Sequence, residues 1–146
     1  MSSEIPFREI DHTADAGIEV HGDTVSALFL NAARGMFSII CQDEIPWDNK
    51  SRVSIQESVQ LTAESMEDLL HDWLSELLYL NTTHMLIPTD YRILSIARYD
   101  LEANVSGFQY DEEDTHHLME IKAVTYHQLS VNKSSDQFSA QIIFDL

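Results

Sequence analysis

Basic residues, cysteine and glycine are all scarce in this chain. With 8 Lys plus Arg against 25 Asp plus Glu over 146 residues, the formal charge is −17, and the summed field repels phosphate backbones and anionic lipid headgroups alike. Direct, extensive nucleic-acid binding is disfavoured. The same field favours a basic protein surface or divalent cations, with an attraction that weakens as salt rises. A single cysteine, Cys41, forbids an intrachain disulfide and fits a reducing compartment. It ends an apolar helical pattern and reads as a small core residue rather than a nucleophile. Four glycines, at positions 17, 22, 35 and 107, form neither a P-loop nor a dinucleotide fingerprint, and no Gly-x-Ser-x-Gly elbow is present. No stretch reaches the roughly 18 consecutive apolar residues of a membrane span. Met1 to Glu9 carries acids at Glu4 and Glu9 and no apolar run of signal-peptide length. The expectation is a soluble cytoplasmic protein without a membrane segment.

A 44% hydrophobic content over this length is enough for one core, so a single domain over 1–146 is expected. Residues 17–22 alternate around Ile18 and Val20, which predicts a short strand closing at Gly22, with Asp23 as the N-cap of a helix to Cys41. In that helix Val25, Leu28, Phe29, Ala32, Ala33, Met36, Phe37 and Ile40 recur at intervals of three and four. Asp43 to Ser51 reads as a loop and Arg52 to Thr62 as a strand. Ser65 with Asp68 resembles a capping box opening the strongest helix, which carries Met66, Leu69, Leu70, Trp73, Leu74, Leu77 and Leu78 on one face. Beyond Pro88 the pattern is strand-like at about 90–99, 101–108, 118–127, 129–132 and 138–144, interrupted by the acidic run Asp111 to Asp114. The fold class is α+β: two amphipathic helices packed on one face of a mostly antiparallel or mixed sheet in a two-layer domain.

The chemistry-bearing residues concentrate in Asp11-His12-Thr13-Ala14-Asp15, in Lys122-Ala123-Val124-Thr125-Tyr126-His127, and in the ending Phe144-Asp145-Leu146. Asp145 and the α-carboxylate of Leu146, directly after an apolar strand, offer two hard oxygen donors, and Asp15 a third. Such a set suits Ca²⁺, Mg²⁺ or Mn²⁺, which take oxygen ligands at about 2.0–2.6 Å. In a chain this acidic most Asp residues are simply solvated, and each of these, taken by spacing alone, reads more readily as one of them. Lys122 lies inside the apolar segment Leu118 to Val124. In a central strand its ammonium would need a carboxylate such as Asp15 or Asp145, or a ligand; at a strand edge it would reach solvent along its own stem. The seven histidines show none of the short paired spacings of a zinc site.

The Asp11 to Asp15 motif with Gly17, the Asp68-Leu69-Leu70…Trp73-Leu74…Glu76-Leu77-Leu78-Tyr79 helix, the segment Glu120 to His127 and the ending Ile143-Phe144-Asp145-Leu146 together resemble the archease family over nearly the whole chain. That resemblance implies a non-enzymatic protein cofactor of the tRNA-splicing and RNA-repair ligase that works through a guanylylated histidine and metal ions, promoting its guanylylation and its multiple turnover. Chaperone-like action on other RNA-processing proteins is also implied. On the same basis Asp15, Asp145 and the carboxylate of Leu146 are the metal ligands, with calcium the ion expected to be seen there, and Lys122 is a functional residue beside them. Family members commonly end on Asp-Ile and carry an isoleucine or valine after the motif's last aspartate; this chain has Leu146 and Ala16 at those places. Two readings of other classes stand beside this one. The first is a metal-dependent hydrolase with His12 or His127 as general base, and the second a metal-free chaperone-like interaction module.

Overall fold

The computed structural model describes residues 6–12, 15–42 and 51–146. The predicted loop at 43–51 therefore falls almost wholly outside the described residues, as do Thr13, Ala14 and the side chain of His12. Chain order is β1 (Phe7–His12), β2 (Asp15–Gly22), α1 (Val25–Cys41), β3 (Ser54–Thr62), α2 (Met66–Thr83), β4 (Leu86–Ala97), β5 (Asp100–Gln109), a 3₁₀ turn (Asp114–His117), β6 (Ala123–Val124), β7 (Ser130–Lys133) and β8 (Phe138–Asp145).

The α+β class and the antiparallel pairing hold, with the strands divided between two sheets. One runs β1-β2-β8-β6, with β7 also on β8; the other runs β3-β5-β4, and every pairing is antiparallel. Helix α1 lies chiefly on the larger sheet, whereas α2 touches strands of both. Alternation along each strand predicts its buried face but carries no information about which strands pair, so the division into two sheets was invisible in the sequence.

Both helices form where the apolar spacing places them. Ser65 caps α2, its side chain accepting from the Asp68 N–H at 3.1 Å. Thr24, not Asp23, caps α1, accepting from the Ala27 N–H at 3.0 Å; both residue types cap well, and the helix starts one residue later than predicted. The fully buried Leu28, Phe29, Ala32 and Met36 of α1 meet Leu69, Leu70, Trp73, Leu74 and Leu77 of α2 in one core, which continues into Ile18, Val20, Ile142 and Phe144 of the larger sheet and Val105 of the smaller. Trp73 buries its ring there, and its Nε1–H donates to the Phe29 carbonyl at 3.0 Å, satisfying the one polar atom the indole takes inside. Gly35 sits mid-helix because a Cβ there would stand 2.9 Å from Ile18 Cδ1 and 3.3 Å from Phe7 Cγ. The bare backbone lets α1 settle onto β1 and β2.

Two predicted strands change. β4 begins at Leu86 and carries Pro88 through a register irregularity between Pro88 and Asp90, tolerated because β4 is an edge strand. The segment expected as a strand over 118–127 keeps only two strand residues, Ala123 and Val124, at the edge of the larger sheet. Its buried residues Ile121 and Val124 are three apart, a spacing that a continuous pleat cannot place on one face.

One feature had no sequence signal. Arg52 and Asp114, 62 positions apart, form a bidentate ion pair in which the side chains are 7% and 5% exposed. The Arg52 guanidinium also lies 5.4 Å from the centroid of Phe108, and its pKa is raised above the usual arginine value, chiefly by the Asp114 hydrogen bonds. Asp114 accepts from the Asp111 N–H at 2.9 Å while its own N–H donates to Asp111 Oδ1 at 3.0 Å.

Candidate functional site

β2 and β8 pair over eight successive positions, from Asp15 opposite Asp145 to Gly22 opposite Phe138. Residues directly opposite in an antiparallel ladder project to the same face. The pairs Ala16 with Phe144, Ile18 with Ile142 and Val20 with Ala140 turn toward the helices and supply core residues. Asp15 and Asp145 belong to the other set, with Gly17 opposite Ile143 and Glu19 opposite Gln141. The strands that carry the acids are thus anchored by the core, and the acids themselves are presented on the outer face.

Gly17 has a specific part in this. A Cβ at position 17 would lie 2.7 Å from Ile143 Cδ1 and 3.1 Å from the Ile142 carbonyl oxygen, so the missing side chain is the space that Ile143 occupies. Ile143 is 1% exposed as a result. An apolar step therefore adjoins the paired carboxylates.

At Asp145 four strands come level. His12 of β1 stands opposite Asp15, Asp15 opposite Asp145, and Asp145 opposite Ala123 of β6. Lys122, next in the chain to Ala123, donates its backbone N–H to the Asp145 carbonyl at 2.7 Å. Leu146, directly after β8, packs its side chain against the core. The four residues singled out from the sequence, Asp15, Lys122, Asp145 and Leu146, therefore meet at one end of the larger sheet by main-chain register.

Their side chains do not all converge. Lys122 precedes an edge strand rather than lying in a central one, and its side chain is exposed. Among the described residues it makes no ion pair with Asp15 or Asp145. It lines a groove of about 400 Å³ together with His71, Tyr79, Ile121 and Val124. No group of three or more His, Cys, Asp and Glu side chains capable of holding a metal ion occurs among the described residues. Among the described side chains, the oxygen donors at the row are Asp15 and Asp145. Both are hard oxygen donors on one face, which fits a hard cation in kind, and any third oxygen must come from elsewhere, such as the main chain at residue 146.

The other wall of the groove contains a group that sequence reading passed over. His71 of α2 donates Nε2–H to the Val124 carbonyl at 2.9 Å, and its Nδ1 lies 3.1 Å from Asp72 Oδ1. Its ring stacks on Tyr126 with centroids 3.9 Å apart and planes 13° from parallel. Desolvation, followed by the Asp68 charge, a hydrogen bond to Asp68 and the Asp72 charge, pushes the Tyr126 phenol up. Nothing in the spacing of residues 71 and 126 announces this contact; the only available signal was a histidine on a helix face beside the acids Asp68 and Asp72.

Two residues weighed for other chemistry fall away from the row. Burial pushes the Cys41 thiol up to about 11, which leaves little thiolate at neutral pH. His127 is exposed in the turn after β6, beyond the paired positions. No helix among the described residues is long and apolar enough to cross a membrane.

Comparison with known proteins gives one consistent result. Residues 7–146 match the model of the Archease protein family (MTH1598/TM1083). A protein archease from Methanosarcina acetivorans is 36% identical over 144 residues, spanning 96% of this chain and 95% of the relative. One from Methanopyrus kandleri is 29% identical over 147 residues, spanning 97% and 100%. The solution structure of protein 1598 from Methanobacterium thermoautotrophicum superposes with a TM-score of 0.76 at 27% identity, over 98% of this chain and 100% of that one. The crystal structure of an archease from Thermotoga maritima, described as a possible chaperone, has a TM-score of 0.64 at 22% identity over 95% and 96%; at that identity it speaks for the fold alone.

Proposed function

The chain belongs to the archease family, and from that premise we propose that it is a non-enzymatic activator of the RNA ligase that works through a guanylylated histidine, promoting guanylylation and multiple turnover. The observation that carries this reading is the register of β2 on β8, which sets Asp15 directly opposite Asp145 with Lys122 at the neighbouring strand. Two carboxylates facing each other across a ladder repel, a cost that a bound cation would remove. In this reading Asp15, Asp145 and the terminal carboxylate of Leu146 hold a divalent cation, calcium, magnesium or manganese. Such an ion, when bound, supplies a concentrated positive charge able to neutralise phosphate oxygens. The protein's own groups do the remaining work: β2 and β8 hold the carboxylates at a fixed separation, the core behind them keeps the edge rigid, and Lys122, whose backbone N–H bonds the Asp145 carbonyl, presents an ammonium from the adjoining groove.

The net charge of −17 supports a basic partner. A cleft that binds RNA is basic, so an acidic protein is steered into it, and it has to leave before RNA enters the same cleft. The test is ligation under multiple turnover with the cognate ligase and guanosine triphosphate. Wild-type protein is expected to stimulate product formation, while Asp15→Ala and Lys122→Ala are expected to lower that stimulation by about tenfold or more, the loss of a charge-assisted contact of about 1.5–3 kcal/mol. Equal stimulation by both variants would remove these residues from the function.

A further inference from the structure

The segment that carries Lys122 is secured by little regular structure. β6 is two residues long, and a two-residue ladder does not by itself fix a backbone. Upstream, the Met119 N–H donates to the Ile40 carbonyl at 2.7 Å and Ile121 enters the core. On the β8 side, the Lys122 N–H reaches the Asp145 carbonyl at 2.7 Å and the Thr125 N–H reaches the Ile143 carbonyl at 3.1 Å. From the opposite side α2 holds the segment in two ways, through the core that Ile121 and Val124 enter and through polar groups. His71 bonds to the Val124 carbonyl and stacks on Tyr126. Tyr126 is 55% exposed, so the stack adds little to the core. Its effect is local, since it fastens the chain on both sides of Thr125 to a rigid helix.

We infer that His71 is a positioning residue, which together with Tyr126 latches the Lys122 to Tyr126 segment onto α2 and so fixes Lys122 beside Asp145. The functional part of this inference rests on the activator reading above; the structural part does not. The bulk of α2 is anchored elsewhere, by the fully buried Leu69, Leu70, Trp73, Leu74 and Leu77, so loss of the latch frees the segment without unfolding the helix. The His71 ring offers two separable attachments. A glutamine places an amide donor near the position of Nε2 and restores the bond to the Val124 carbonyl without the stack, whereas a phenylalanine keeps the stack and loses the donor.

The experiment compares wild type with His71→Ala, His71→Gln and His71→Phe by three measurements: backbone amide hydrogen exchange, melting temperature and multiple-turnover ligase stimulation. His71→Ala is expected to speed exchange of the Lys122 and Thr125 amides by about tenfold or more, with exchange of the core amides of α2 unchanged, as befits a local opening. Ligase stimulation is expected to fall with it, and His71→Gln is expected to recover a substantial part of both. His71→Phe should fall between the alanine and glutamine variants. Unchanged exchange at Lys122 in His71→Ala overturns the latch. So does a uniform rise in exchange together with a large fall in melting temperature, because that marks a purely structural residue. If wild-type protein itself fails to stimulate the ligase, the activator reading fails, and the exchange measurement still decides whether the latch exists.

Discussion

Two pairs of charged residues that are distant in sequence are treated in opposite ways. Arg52 and Asp114 are buried, of opposite sign and tied into a local network in which Asp111 completes the bonding of the carboxylate. Asp15 and Asp145 lie at the end of a sheet, of like sign and directly opposite. The first pair neutralises its two charges inside the chain. The second sets two like charges directly opposite each other on the outer face of the sheet, where they repel. On the proposed reading, that difference separates a charge kept for the fold from a charge offered to a cation or partner.

The largest expected effect comes from breaking the buried pair. Arg52→Ala leaves the Asp114 carboxylate enclosed without its main counter-charge, a change that costs about 3–5 kcal/mol when a buried pair loses one member. For a chain of this size that corresponds to a fall of roughly 10 °C in melting temperature. Stimulation per folded molecule should be unchanged, because neither residue adjoins the acidic row. A thermal melt and a ligation assay on the same preparation check both halves; a variant that melts normally would mean that the pair contributes nothing to stability.

A smaller effect tests the outer pair as a cation site. Calcium bound only by the native state stabilises in proportion to the logarithm of its excess, about 2.7 kcal/mol at a hundredfold excess over the dissociation constant. Wild-type protein should therefore melt higher as calcium is added, and Asp15→Ala should abolish most of the rise. The Arg52→Ala protein, though less stable at the start, should keep the whole increment. An equal rise in Asp15→Ala would place the binding elsewhere on this acidic surface.

The sequence disclosed the two pairs to very different degrees, for physical reasons. Asp15 and Asp145 could be suspected because one stands two residues before the alternating segment of Ile18 and Val20 and the other directly follows the apolar run Ile142-Ile143-Phe144; the pairing of those strands was missing. Helix α2 was legible down to its Ser65 cap, since capping and apolar spacing are local. Arg52 and Asp114 were not legible, because Asp114 sits in a run of acids that resembles solvated loop and its partner is 62 positions away. The segment around Lys122 misled for a related reason. Leu118, Met119, Ile121 and Val124 read as a strand, yet Met119 is bonded to the end of α1 and Val124 to His71 of α2, so its apolar residues answer to several neighbours instead of one sheet face. Lys122 consequently stands at an edge with its side chain in solvent, the second of the two placements its sequence context allowed.

The smallest expected effect is also the sharpest on the comparison, because its sign should reverse. With chelator present, Asp145→Asn removes one of two facing negative charges while keeping the side-chain shape and the main-chain bond from Lys122. Like charges directly opposite on a ladder destabilise by about 0.2–1 kcal/mol, so the variant should be more stable than wild type by an amount in that range, measured by urea denaturation at low ionic strength. Raising the salt should shrink the gain, because the carboxylates are near the surface and are screened. With calcium in excess the order should invert, since the wild type gains binding energy that the amide provides less well. The Arg52 and Asp114 pair predicts the opposite pattern at every step: Asp114→Asn should destabilise with or without calcium and respond weakly to salt, because buried charges are screened little. If Asp145→Asn instead destabilises in chelator as Asp114→Asn does, then the outer acids are held by internal partners, and the distinction between the two pairs disappears.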